Sequence, residues 1–486
     1  MGIRFPFAPK ASLSFVFFAA LRYNISVNTE EYMKRDNEFL ATAPLGKLLF
    51  QLALPAVTAQ IVNMLYNMVD RIYIGHIPEV GALALTGLGV CMPILQLVSA
   101  FAALVSMGAA PRASIRMGEG DYEGAERILG NSFMLLLCLA AVITPILLFF
   151  GEDMLLAFGA TENTVSYAFD YLWVYAIGTV SVQLTLGLNA FITAQGFAKI
   201  SMFTVLIGAI ANIALDPLFI FAFHMGVKGA ALATILSQTL SAIWVVSFLR
   251  SKKAVLRIKA KNMRLDAKLI LPCVALGLSP FVMQSTESLL SVAFNTSLRT
   301  YGGDIAVGAM TILHTVSQLS LLPLQGLTQG AQPIASFNFG AKNKERVQGV
   351  FKLLLRCCII YSMTLWAAAM LFPRTLAGVF TADAALLDYT AWAMRIFMAA
   401  SGIFGIQIAC QQTFIAIGNA KTSLFLAALR KLILLIPLIY ILPLFFGDKV
   451  MAVYLAEPAA DFIAVSVTSF MFARQFKKAM AGLEQR

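Results

Sequence analysis

GAAPRASIRMG runs from Gly108 to Gly118, and GAQPIASFNFG runs from Gly330 to Gly340. Gly, Ala, Pro, Ala, Ser and Gly recur at identical spacing, 222 residues apart, the distance from Gly108 to Gly330. The same offset pairs Gly196, Ala198, Lys199 and Ser201 with Gly418, Ala420, Lys421 and Ser423, and Phe158 with Phe380. Three separated matches at one offset mark a duplicated unit.

The solvent of that unit follows from composition. Of 486 residues, 59% are hydrophobic and 13% are charged, against roughly 25% charged in a soluble domain. A spanning helix needs roughly 20 mostly apolar residues to cross a hydrocarbon core of about 30 Å. Apolar runs between charged gaps predict twelve spans: 46–74, 83–110, 126–150, 165–193, 199–223, 229–249, 268–298, 305–333, 348–372, 388–413, 420–446 and 450–473. Pro55, Pro93, Pro145, Pro217, Pro280, Pro323 and Pro437 fall inside them, and each removes a helix hydrogen bond at a candidate kink.

The fold class predicted is an all-α membrane protein, with twelve transmembrane helices in two six-helix bundles. Six spans per unit is an even number, so both halves enter from the same side, and a pseudo-two-fold near the membrane normal relates them. The expected organisation is an N-terminal extension at 1–44, an N-terminal bundle at 45–250, a cytoplasmic linker at 251–267, a C-terminal bundle at 268–474 and a cytoplasmic tail at 475–486. Within the extension, Arg4 and Lys10 precede the apolar stretch Ala11–Leu21, which imitates a signal peptide. Met33 opens MKRDNEF just before the first strong span, so residues 1–32 read as a mis-assigned start or an extension.

The net charge of +11 does not point to nucleic acid, because the basic residues sit between apolar runs. They concentrate in the even-numbered gaps: Arg112, Arg116 and Arg127, then Lys199, then seven bases from Arg250 to Arg264, then Lys342, Lys344 and Arg346. The positive-inside rule makes those gaps cytoplasmic and leaves both termini inside. The location expected is a bacterial inner membrane. Six cysteines lie in apolar segments with no CxxC spacing and read as reduced thiols, the Cys357–Cys358 pair included. No GxxxxGK[ST] loop and no HExxH motif is present in the chain, so neither direct ATP coupling nor a zinc peptidase site is expected. No cofactor is expected beyond a coupling ion.

Carboxylates inside spans are the sharpest chemical signal, since each costs roughly 2.5–3.5 kcal/mol to insert unless it faces a cavity or a partner. Asp70 closes span one beside Arg71. Asp216 in span five follows Asn212 by one helical turn, so the pair forms one oxygen-rich face suited to Na⁺. Glu287 lies mid-span near Gln284. Glu457 and Asp461 in span twelve read as structural. Gln60, Asn63 and Asn67 in span one, Asn189 in span four, Thr234 in span six and Gln318 in span eight add intramembrane polarity, and His314 is a candidate proton relay. The 21 Met and 37 Phe supply adaptable, aromatic surface of the kind that takes flat cations.

LALPAVTAQIVNMLYNMVDRIYIGH in span one, the doubled GAxPxAS element and NIALDP in span five together resemble the MATE family of multidrug and toxic compound extrusion transporters, most of all its MepA-like bacterial branch. The resemblance covers nearly the whole chain from about residue 45. It implies a V-shaped cavity between the bundles and export driven by inward Na⁺ or H⁺. It further implies a cation site built from Asp70, Tyr171, Asn189, Asn212, Asp216 and Thr234. One branch of the family uses C-terminal acids instead; Glu287 matches its seventh-helix Glu, while Ile406, Gln407 and Gln411 stand where its tenth-helix Asp would be. Substrate or proton contacts fall to Glu287, Gln284, Gln60, Asn63, Asn67 and Gln318. The function expected is antiport of small cationic, lipophilic compounds by a monomer, by alternating access, without enzymatic activity. The alternative is a flippase of lipid-linked polysaccharide precursors. Intramembrane acids outnumber intramembrane bases, which favours cationic cargo.

Overall fold

The computed structural model describes residues 38–484. The signal-like stretch Ala11–Leu21 and the start suggested at Met33 lie outside the described residues. Within lipid every backbone polar group must be satisfied inside its own segment, so long apolar runs become helices. Twelve result: α1 (Leu45–Gly75), α2 (Gly81–Gly118), α3 (Tyr122–Ala157), α4 (Val165–Ile177 and Thr179–Ala194), α5 (Ala198–Ala222), α6 (Gly226–Arg250), α7 and α8 (267–302 and 304–340), α9 (Lys344–Leu371), α10 (Ala384–Phe397 and Ser401–Ala416), α11 (Ala420–Phe445) and α12 (Lys449–Glu484). The described residues contain no strand.

The 74 residues of α7 and α8 are helical without interruption except at Gly303. A straight helix of that length would reach about 110 Å, several bilayers thick. Gly303 folds it into a hairpin by taking φ +67° and ψ −162°, a conformation that a side chain would forbid.

Span edges differ from the sequence reading mainly by extension beyond the apolar run, as in α2, α3 and α12. Two spans predicted as continuous are broken. The halves of α4 meet at 61° around Gly178, and those of α10 meet at 49° at residues 398–400, which is the same place in the duplicated unit. Neither break holds a proline. The Gly178 break packs tightly on a neighbour: a Cβ there would stand 2.2 Å from the Ile235 side chain of α6. Two of the predicted proline sites instead border π-helical turns, Leu218–Ala222 after Pro217 and Leu429–Leu435 before Pro437. At Pro437 the clashing carbonyl is that of Ile433, which lies within the wider turn and is thereby eased away from the ring.

The duplication is visible atom by atom. Asp121 caps α3 by accepting from Gly124 N at 2.8 Å, and Asn343 caps α9 by accepting from Arg346 N at 3.1 Å. Ser114 Oγ donates to Ala194 O at 2.9 Å, and Ser336 Oγ donates to Ala416 O at 2.8 Å. Every partner is displaced by the same 222 residues.

The doubled glycines sit where the bundles touch. A Cβ on Gly118 would stand 1.9 Å from Phe337 O, and one on Gly340 would stand 2.0 Å from Ile115 O. The contact is its own mirror under the pseudo-two-fold, with α2 and α8 crossing backbone to backbone. Gly108 meets Cys273 and Gly277 of α7, while Gly330 meets Ala53 of α1. Small residues permit such approach, and with lipid as solvent that close packing supplies the attraction between helices.

The same end of the molecule carries the connecting segments. The linker lies on the N-terminal bundle: Lys259 pairs with Glu126 at 2.5 Å, Gln195 Oε1 accepts from Leu256 N at 2.8 Å, and Asn131 Oδ1 accepts from Asp266 N at 2.7 Å. Residues 38–43, inside the extension predicted at 1–44, are packed and ordered against both halves. Phe39 lies against Gly196, while Asn338 and Arg346 donate to Leu40 O at 2.9 and 3.1 Å, and Arg346 also to Ala43 O at 2.8 Å.

Valine at Gly118 or Gly340 is expected to cost about 1–3 kcal/mol through overpacking. Alanine at Gly89, where nothing lies within 4 Å, is expected to be neutral or mildly stabilising. Thermal unfolding of the detergent-purified protein reads the difference; equal midpoints for Gly118→Val and Gly89→Ala would show that the crossing does not hold the bundles.

Candidate functional site

The helix faces that seal the linker end define a chamber above it. On α1, Ala53 and Val57 touch α8, and the same stripe continues through Gln60, Asn67 and Arg71. On α7, Cys273 and Gly277 touch α2, and the stripe continues through Phe281, Gln284 and Ser288. On α8, Gly330 and Gly326 are sealed, whereas Leu319 and Thr311 higher on that face are exposed, with Gln318 beside them. Phe101 and Phe281 meet across the bundles at 5.1 Å. The structure is therefore closed at the linker end, and its facing walls are accessible toward the other.

Inside the N-terminal bundle a polar cluster forms where α1, α4, α5 and α6 converge. Asp70 and Asp216 are buried, Asp216 completely, and their carboxyl groups come within hydrogen-bonding reach of each other. Asn212 Nδ2 donates to Asp216 Oδ1 at 3.2 Å and to Thr234 Oγ1 at 3.4 Å. Thr234 also shares a hydrogen bond with Tyr171, whose ring stacks on Tyr175 with centroids 6.3 Å apart. Among the described residues, Asp70 Oδ1, Asp216 Oδ2 and Asn212 Oδ1 find no donor. Three buried acceptor oxygens in one cluster, two of them on carboxyl groups, call for a positive partner. Next to them lies a cavity of about 40 Å³ lined by Asn63, Tyr66, Thr204, Gly208, Asn212 and Thr234, among others. A water needs about 10–15 Å³ on this scale, so two or three waters, or a partly hydrated cation, fit.

Five of the six residues implied for the cation site thus come together: Asp70, Tyr171, Asn212, Asp216 and Thr234. Asn189 stands apart. Its Nδ2 donates to Ser201 O at 3.3 Å, and Asn212 lies eleven residues further along α5, about 16 Å away at 1.5 Å per residue. Asn189 is on the expected helix at the wrong depth. Tyr66, one turn before Asp70 and in the electrostatic field of both acids, belongs to the cluster and was not singled out from sequence; its i, i+4 spacing from Asp70 was the available signal. Asn63 lines the cavity, while Asn67 spends its amide on Asn63 O at 2.7 Å.

The C-terminal bundle holds a different arrangement. Glu287, with 34% of its side chain accessible, is paired with Lys431, which is 4% accessible. Lys431 also donates to Met283 O at 2.6 Å. Beside it, Arg430 bridges Asp461 at 2.6 Å and Glu457 at 2.8 Å and lies over the Phe404 ring at 4.3 Å. His314, in contact with Gln318 at 3.5 Å, adjoins Glu287 from α8. Arg430 and Lys431 escaped the sequence reading, although two adjacent bases in the middle of an apolar span were a visible signal. Adjacent residues on an α-helix point about 100° apart; here, within the π-helical stretch Leu429–Leu435, Arg430 reaches two carboxylates of α12 and Lys431 reaches one of α7. Gln407 and Gln411, where the family's tenth-helix acid would stand, are buried and bonded to Thr468, at 2.5 Å, and to Ser279, at 3.3 Å.

Two matched helical bundles, joined at one end and lined with buried ionisable groups, define a polytopic membrane carrier. The chain belongs to the MatE family, whose model matches residues 55–218 and 280–441; members of this family are transporters and not enzymes. It is 24% identical over 412 residues to the multidrug export protein MepA of Staphylococcus aureus strain NCTC 8325, covering 84% of this chain and 90% of that one. The MepA of Staphylococcus haemolyticus is 24% identical over 426 residues, covering 87% and 92%. Among solved structures, MATE in the bent conformation superposes with a TM-score of 0.85 at 22% identity, covering 93% of this chain and 98% of that chain. An outward-facing MATE family transporter of the MOP superfamily gives 0.84 at 22% identity, covering 92% and 98%. These confirm the fold read from the sequence.

Arg430→Met is expected to destabilise the protein by about 3–5 kcal/mol, because it strands Glu457 and Asp461 in the bundle interior. Adding Glu457→Gln and Asp461→Asn is expected to recover most of the loss. Unfolding midpoints of the single and triple variants in detergent decide; an unchanged Arg430→Met midpoint would mean that the network is not structural.

Proposed function

We propose that this chain is a secondary antiporter that exports cationic, lipophilic compounds from a bacterial cell across the cytoplasmic membrane, in exchange for inward Na⁺ or H⁺. The observation that carries the reading is the trio of donor-less buried oxygens on Asp70, Asp216 and Asn212. A proton on the carboxyl pair, or Na⁺ among the three oxygens, supplies the positive charge they lack. Asn212 and Thr234 orient the pair, Tyr171 and Tyr66 wall it from lipid, and the adjoining cavity lets water accompany the ion. Family membership and the MepA relatives support drug export as the task.

The linker, the bases of the even gaps and both termini are taken as cytoplasmic, so the chamber opens outward in this state. Alternating access then requires the α2–α8 crossing to act as a pivot while the bundles rock and the contacts of residues 38–43 part. Charging and discharging Asp216 alters what the N-terminal bundle can bury, which links ion entry to the tilt. Glu287, on the flank of the chamber wall, is the carboxylate that a cationic substrate meets, with Gln284, Gln60 and Gln318 beside it. In the two polar clusters described above, five acids (Asp70, Asp216, Glu287, Glu457 and Asp461) stand against two bases (Arg430 and Lys431), which favours a cation over an anionic lipid as cargo. The protein acts as a monomer, each copy holding a complete chamber.

Dye efflux from proteoliposomes under separately imposed Na⁺ and H⁺ gradients tests the coupling site. Asp216→Asn and Asp70→Asn are each expected to lower gradient-driven transport to about a tenth or less, since removing an intramembrane carboxylate removes the exchangeable charge. Full-rate transport by Asp216→Asn under both gradients would overturn the assignment.

A further inference from the structure

The C-terminal network does not balance in charge. Three carboxylates, Glu287, Glu457 and Asp461, share two tethered cations, Arg430 and Lys431. Arg430 is fully engaged by Glu457 and Asp461. Lys431 is given to Glu287, yet its chain neighbour Arg430 holds Glu457 at 2.8 Å, so a second carboxylate lies in the same network as the ammonium. Of the three acids Glu287 is the one accessible from outside the network, and its partner Lys431 is buried behind it.

The duplication sharpens the contrast. Arg430 and Lys431 occupy the positions that Gly208 and Ala209 hold in the N-terminal half, one offset of 222 earlier, and those two small residues line the N-terminal cavity. Where one half keeps space for a mobile cation, the other fills the equivalent space with cations fixed to the chain.

We propose that Lys431 is a tethered stand-in for the cargo: a cationic substrate entering the chamber takes Glu287, and the displaced ammonium moves to Glu457. The proposal rests on Glu287 being the substrate carboxylate, as read above. The site is complete only with a third, external cation, and the class of ligand it takes is an organic cation whose charge is delocalised or shielded enough to leave water. Lys431 thereby sets affinity by competition. It holds Glu287 neutralised when the chamber is empty, so the acid can pass through an unloaded tilt without a bare charge, and it yields to cargo without letting go of the bundle.

Equilibrium binding of tetraphenylphosphonium to the purified full-length chain, with every variant measured at one fixed pH, tests this. Lys431→Met is expected to bind the probe about tenfold more tightly, because the internal competitor is gone. Lys431→Arg, which keeps a tethered charge, is expected to stay within about twofold of the wild type. Glu457→Gln removes the alternative resting place and is expected to weaken binding several-fold, an effect that disappears in the Lys431→Met background. Glu287→Gln is expected to lose binding in either background. Should Lys431→Met not fold, Lys431→Gln, which still donates to Met283 O without a charge, carries the same expectation. Unaltered or weaker binding by folded Lys431→Met, together with lost binding by Glu287→Gln, overturns the displacement and leaves the substrate role of Glu287 standing. Unaltered binding by Glu287→Gln removes that role and the inference with it.

Discussion

The fold depends on two polypeptide backbones being allowed to touch. Gly118 and Gly340 remove the side chains that would keep α2 and α8 apart, and each then rests on the carbonyl of the other helix at Ile115 or Phe337. Because the contact is symmetric, it aligns the halves in one relative register, and the chamber walls follow from it. The stripes of α1, α7 and α8 that are sealed near this crossing become chamber surface a few turns later. In a bilayer, where burying apolar surface against protein gains little over burying it in lipid, such close approach is the available source of attraction.

On this common frame the two halves carry different electrostatics. The N-terminal bundle leaves carboxyl oxygens without donors beside a small cavity lined by Asn63, Asn212 and Thr234. The C-terminal bundle at the equivalent positions supplies its own ammonium and guanidinium groups. One half thus lacks charge compensation and the other nearly contains it. The two copies keep a common frame while their interior ionisable residues have diverged, so one duplicated architecture presents two chemically distinct sites.

Much of this was legible in the sequence. Hydropathy set the helices, the offset of 222 set the halves, and the Asn212–Asp216 spacing pointed to the oxygen cluster, because these signals are periodic along a single helix. What escaped depends on other helices. The close packing of Gly178 on Ile235 of α6 cannot be read from α4 alone. The separation of Asn189 from the cluster comes from how far α4 is shifted along α5, which spacing within α4 does not record. Arg430 and Lys431 reach carboxylates on α12 and α7 respectively, partners that no spacing within α11 records, and the π-helical turn that carries them has no hydropathy signature. Tyr66 was readable by spacing from Asp70 and was masked by its apolar neighbours. The packed residues 38–43 were hidden for a similar reason: Phe39, half-buried, and Leu40, buried, pack against distant helices, and the Leu40 and Ala43 carbonyls accept from Asn338 and Arg346 of the other half.

The location of the glycine crossing has a mechanical consequence. In the rocking proposed above, a fulcrum at this crossing on the pseudo-symmetry axis would make each bundle a lever about 30 Å long, the thickness of the hydrocarbon core. A turn of about 10° at the base, small enough for packed helices to absorb by sliding, displaces the far rim by about 5 Å on each side. Both arms sweep equally, so the carrier opens without drifting sideways in the bilayer, and the bulk of each bundle travels as an undeformed body.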